Sequence, residues 1–187
     1  MGRWRTRARK YFEFVDGGEK QWEPEAVKLL KDQQRPVVTF NKTNKYIRAI
    51  CGIETNNRSE IAYLPRELSN AGEVKANELL TAASEWMEDG CHAKRHQSRA
   101  FRDAAIAGIG WTEAVIDTDE DPQGKYIETR VDPLEMGLDR YAGEQNLIDA
   151  KRVFRVRQMS VSDAKALVPG AENMTAEDLD AGWASGV

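Results

Sequence analysis

The chain has 187 residues, 41% of them hydrophobic, and a formal net charge of −4 at pH 7. That length can bury a core without disulfides or metals, and with a mean hydropathy of −0.64 no apolar run approaches the roughly 20 residues that span a bilayer, which excludes a helical membrane protein. Cys51 and Cys91 give neither a disulfide framework nor a CxxC metal pair, so a reducing, cytoplasm-like compartment is the default; the basic start lacks the apolar stretch of a secretory signal, and the net negative charge argues against a dedicated nucleic-acid binder.

Residues 2–15 read as a helix that Gly17-Gly18 stops. Its first ten positions hold Arg3, Arg5, Arg7, Arg9 and Lys10 and no acid. The plain reading is a solvated helix face or a frayed arm. The sharper one is an arm that touches phosphate without sequence preference. A second helix starts near Pro24, where proline suits the first turn, and ends before Arg35-Pro36. Val37 to Phe40 are too few for a strand. Asn41 is a fitting N-cap for a helix with Ile47, Ile50 and Cys51 on one face. Thr55 to Arg58 read as a turn, and Glu60 to Leu64 as a short strand closed by Pro65.

The strongest helical signal follows. Ala76, Leu79, Leu80, Ala83, Trp86 and Met87 recur at three- and four-residue steps and are expected to face the core. Gly90 marks a break or a soft spot. The next helix carries Phe101, Ala104, Ala105 and Gly108, small enough to let a neighbouring element come close. Then the period changes from 3.6 to 2. Trp111–Asp117 and Tyr126–Val131, joined by an acidic turn from Asp119 to Gly124, read as a β-hairpin, and Arg152 to Gln158 as a strand beside it. Residues 101–150 hold twelve acids against four bases, most simply a wet hairpin and loop. Ser160–Asp163 and Thr175–Asp178 fit the capping-box pattern with Asp in place of Glu. The fold class is therefore α+β, several helices packed on a small antiparallel sheet.

Little in the sequence carries chemistry. Glu88, His92 and His96 stand at four-residue steps beside Cys91, a spacing at which helical histidines can share zinc. A fourth ligand or a base is lacking, and Lys94, Arg95 and Arg99 would repel a cation, so the expectation is a solvated face and no metal. Gly108-Ile-Gly110 closes a helix and opens a strand, the reverse of the dinucleotide-binding order. Asp117, Asp119, Glu120 and Asp121 lack calcium-loop spacing. Two histidines and no activated nucleophile leave no catalytic set and no cofactor site. Trp86 and Trp111 read as core residues.

Several segments, taken in order, carry more. Gly18-Glu-Lys-Gln-Trp22 follows a basic-aromatic helix; then come Arg35-Pro-Val-Val-Thr-Phe-Asn41, Gly52-Ile-Glu-Thr-Asn-Asn-Arg58 and Pro65. Phe101-Arg-Asp-Ala-Ala-Ile-Ala-Gly-Ile-Gly-Trp111 joins helix to hairpin, and Val131-Asp-Pro-Leu-Glu-Met136, Asp139 and Asn146-Leu-Ile-Asp-Ala150 follow it. In order and spacing across residues 10–168, this resembles the portal proteins of short-tailed bacteriophages and related prophages. It departs from them at Arg140, where proline is expected, and Asn146, where aspartate is expected.

The resemblance implies a structural virion protein: one subunit of a dodecameric ring at a capsid vertex, made in the host cytoplasm. Double-stranded DNA passes through the ring; terminase docks during packaging and tail and head-completion proteins follow. It implies a basic N-terminal helix or arm over 1–22, a wing-like α+β domain over 23–168, and a segment 169–187 leading to a stem and clip beyond these 187 residues. The implied partners are further copies of the chain, terminase, capsid and tail proteins and DNA, with no membrane. Arg3, Arg5, Arg7, Arg9 and Lys10 are the candidate non-specific DNA contacts. The competing reading is a small soluble DNA-associated binding module with a basic N-terminal arm. It needs a concentrated basic face, which no helix expected after residue 10 supplies.

Overall fold

The computed structural model describes residues 2–58, 60–67, 70–118, 121–139, 141–144, 147–157 and 159–167. The segment 169–187, the Thr175–Asp178 capping box, Arg140 and Asn146 lie outside the described residues. The fold is α+β, in two compact units, one through Val153 and one from Phe154 onward.

The first unit runs α1 (Gly2–Asp16), a 3-10 turn (Gly18–Gln21), α2 (Pro24–Asp32), α3 (Lys42–Asn56), α4 (Ala71–Gly90), α5 (Ala93–Ala107), β1 (Trp111–Asp117), β2 (Lys125–Val131), a second 3-10 turn (Pro133–Glu135) and β3 (Met136–Leu138). The expected caps form: Pro24 opens α2, and Asn41 caps α3 by accepting from the Asn44 amide at 3.1 Å. The expected turn at Thr55–Arg58 begins later, because α3 continues to Asn56. Residues 60–64 form no strand; the Tyr63 amide instead donates to Thr81 Oγ1 of α4.

β1 and β2 pair antiparallel from Trp111 opposite Val131 to Asp117 opposite Lys125. The ladder has two strands. The strand expected over 152–158 is shorter, β4 (Val153–Arg155), and is not a member of that ladder. In the second unit, α6 (Val161–Leu167) starts where the capping box placed it, with the Asp163 amide donating to Ser160 Oγ at 3.2 Å.

α5 is the hub, packed by α1, α3, α4 and both hairpin strands. Ala93, Ala100 and Ala107, seven residues apart, are buried along it, as are Ala8 and Val15 of α1, Ile47 of α3 and Val131 of β2. Small side chains bring backbones together: a Cβ on Gly110 would stand 1.9 Å from the Ala100 carbonyl oxygen. So small a core leaves many large apolar residues outside, and α4 shows it most plainly. Its apolar stripe points away from the chain, Leu79 being 71% and Trp86 76% exposed. Val74, Asn77, Thr81, Ser84 and Glu88, on the opposite face, are the less exposed ones. The expectation of Trp86 as core is thus overturned, while Trp111 is half-buried. Periodicity finds the apolar face of a helix, but not whether its own chain covers it.

Candidate basic surfaces

α1 is a docked helix, not a frayed arm. Ala8 and Val15, two turns apart, are buried, and α1 packs on α5 and the Pro133–Glu135 turn. That docking fixes which residues face outward: Arg7, Arg9 and Lys10 are exposed. Arg5 points inward, its Nη2 donating to the Met136 carbonyl at 3.2 Å; its Nε is buried without a hydrogen-bond partner among the described residues. The side chain of Arg3 lies outside the described residues.

Two side chains hold the end of α1: Gln21 Nε2 donates to the Phe14 carbonyl at 2.7 Å, and Asn41 joins α1 to α3. Asn41 Nδ2 donates to the Val15 carbonyl at 2.7 Å, and its Oδ1 accepts from Gln21 Nε2 at 3.1 Å as well as from the α3 amide. Gly17 makes room for it. With φ at 88° it occupies a conformation that glycine adopts at no steric cost, and a Cβ there would lie 2.5 Å from Asn41 Nδ2.

A second basic surface was missed in the sequence. Lys94, Arg95, Ser98, Arg99 and Arg102 share one face of α5 and, with Arg58 from just beyond α3, line an open cleft of about 500 Å³. Arg95, Arg99 and Arg102 are exposed. Arg58 is committed: it pairs with Glu54 at 3.4 Å and donates to Ser98 Oγ, which donates in turn to Glu54 at 2.9 Å. Glu88 and Asp89 line the same cleft and partly offset its charge. Burial pushes the Cys51 thiol at its floor upward, against the pull of Arg102. The helical spacing of the α5 cations was legible, and the expectation that no later helix carries a basic face is corrected. Arg58, forty positions from Ser98, was not legible.

The metal arrangement is not built. The helix breaks between α4 and α5, with His92 left-handed at φ 55°, so Glu88 and His96 do not lie on one continuous helix. His96 Nδ1 accepts from the Arg130 amide at 3.2 Å. Among the described residues no group of three His, Cys, Asp or Glu could hold a metal ion.

What seats α5 on the hairpin is polar. Asp103 and Glu128 are buried, and each has a partner: Arg130 Nε donates to Asp103, and Gln97 Nε2 donates to Glu128 at 3.2 Å. The Tyr126 hydroxyl adds a bond to Glu128 at 3.3 Å; burial first, and then the Glu128 charge, push its pKa up. The hydrogen bond to Asp103 raises the Arg130 pKa further. Such groups are costly to bury unless paired. The face of β2 that carries Tyr126, Glu128 and Arg130 is therefore the one turned to α5.

The family model described as phage P22-like portal protein matches residues 1–186. The chain belongs to this family. A comparison with curated proteins found no match. As a portal protein it is a structural component of a bacteriophage, of the head-to-tail connector class. No helix among the described residues is long and apolar enough to cross a membrane.

Proposed function

We propose that this portal protein is a subunit of the ring at one capsid vertex through which double-stranded DNA is packaged and later ejected. Twelve copies form the ring; terminase docks on it during packaging, and tail and head-completion proteins take its place. The chain is made in the host cytoplasm and ends in the virion. It supplies a basic N-terminal helix over 1–22, a wing-like body over 23–168, and a segment 169–187 that leads toward a stem. The observation that carries this reading is the family match across 1–186. The outward apolar faces support it, because a protein that works alone seldom leaves large apolar side chains in rows.

The test is to isolate the protein from assembled particles and image it. A ring of twelve at a single vertex is the expected result; a monomer absent from particles would overturn the proposal. DNA contact is non-specific in this reading and runs through the exposed Arg7, Arg9 and Lys10. Replacing these three by alanine should lower the log–log salt slope of DNA binding by about 3, at about 0.9 for each phosphate that is no longer neutralised. Sequence-specific binding that survives the replacement would favour a DNA-associated module instead.

A further inference from the structure

The cleft between α5 and the end of α3 has cations to spare. The two carboxylates that line it, Glu88 and Asp89, both come from the last turn of α4, at the end where α5 begins. Arg99 and Arg102 lie more than one turn further along α5. Arg95, Arg99 and Arg102 stand at four- and three-residue steps, within about 60° of one another around the axis, in a row about 10 Å long. Among the described residues none of the three is in an ion pair within the chain. Arg58 differs, because Glu54 and Ser98 hold it. Burial keeps the Cys51 thiol protonated, so the floor adds no negative charge.

The lining also selects among anions. Ten residues line the cleft, and no aliphatic or aromatic side chain is among these described residues. A docked protein segment is anchored by apolar and aromatic side chains at the centre of its contact, where charge is depleted. Here the lining is charged and nothing apolar offers an anchor. Single-stranded nucleic acid stacks its bases on aromatic rings, and the lining has none. Surfaces that meet duplex DNA are polar and strongly positive, and most of their hydrogen bonds go to phosphate and sugar. A planar guanidinium can hold two phosphate oxygens at once, which suits a row of arginines better than it would suit lysines.

We propose that the α5 cleft is a second phosphate-binding surface, in which Arg95, Arg99 and Arg102 hold the sugar–phosphate backbone of double-stranded DNA without reading its bases. The proposal rests on the DNA-conducting reading above and adds to the α1 contact a surface on a different element. One backbone strand lies lengthwise over α5, and the carboxylates at the α4 end weaken its hold there.

The test is a titration of the whole chain against a short fluorescent duplex, read by anisotropy over a salt series. One variant carries Arg95→Gln, Arg99→Gln and Arg102→Gln; all three positions are exposed, and circular dichroism checks that it is folded. Its log–log salt slope should be shallower by about 3, at about 0.9 for each phosphate no longer neutralised, and equally so for duplexes of unrelated sequence. A second variant, Asp89→Asn, removes an exposed opposing charge and should tighten binding roughly twofold to fivefold at low salt. A slope that the glutamine variant leaves unchanged, or binding that Asp89→Asn fails to tighten, would overturn the site. So would an unaltered chain that does not bind the duplex. Displacement of the duplex by polyglutamate as readily as by unlabelled duplex would make an acidic protein segment the occupant and overturn the phosphate assignment. None of these outcomes touches the ring reading, which isolation from assembled particles decides separately.

Discussion

The Asp103–Arg130 pair joins α5 to β2, and its two halves are not equally buried, so removing them one at a time should give unequal losses. The Asp103 side chain is 3% exposed and that of Arg130 31%. Arg130→Met leaves a carboxylate in the packed interior without its cation, a change that costs about 3–5 kcal/mol when a buried pair is broken. Asp103→Asn keeps the shape and an acceptor oxygen. The guanidinium it leaves is partly hydrated and still has Asp132 at 4.0 Å, so solvent screening reduces the loss to about 1–2 kcal/mol. Urea unfolding at neutral pH, with the slope unchanged between variants, reads both values. The expected gap of about 2 kcal/mol corresponds to about 4–8 °C in Tm for a chain of this size. Equal losses, a costlier Asp103→Asn, or two losses below about 1 kcal/mol would refute the idea that this pair seats the helix.

Three further outcomes follow from the geometry. Gly110→Ala should cost about 3 kcal/mol or more by thermal or urea unfolding, since its Cβ would run into the backbone at Ala100; Gly52→Ala in α3, with nothing within 4 Å of the new Cβ, should instead be neutral or stabilising by up to about 1 kcal/mol. Trp86→Ala should change stability by no more than about 0.5 kcal/mol at low protein concentration, while Trp111→Ala, half-buried in a cleft with Trp4 and Pro133, should lose about 2 kcal/mol. The amide of Tyr141, at 3.1 Å, holds the Asp139 carboxyl below its ordinary value against the cost of desolvation, and the amide of Lys151 and the charges of Arg152 and Lys151 add to its pull. A pKa lowered by folding means support that is present above the unfolded value and lost as pH falls through the folded one. Protection of these two amides from hydrogen exchange, corrected for intrinsic rates, should therefore fall in acid below pH 3.8, and Asp139→Ala should abolish that dependence.

Local rules carried much of the fold. Asn41 caps α3 because its side chain bonds a backbone amide three residues on, and the hairpin strands follow their alternation, with β1 and β2 paired from Trp111 to Asp117 and from Lys125 to Val131. Interactions between distant positions were not legible. Asp103 meets Arg130 across 27 positions and Arg58 meets Ser98 across 40, and nothing in either neighbourhood signals the partner. The α4 stripe was legible as a stripe and misassigned in direction, since the burial that selected those leucines is not supplied by the described chain. Of the five cations at the start, spacing could not tell that Arg5 turns in toward Met136 while Arg7, Arg9 and Lys10 stay outside.

Asn41 acts as a strut. Its amide grips the last turn of α1 at one end and the first turn of α3 at the other, and Gly17 closes around it too tightly to leave slack. Asn41 ties the end of α1 to the root of α3, beside the packing of both helices on α5. Shortening the amide, as in Asn41→Ala, therefore removes the α3 cap and this hold on the end of α1 in one step.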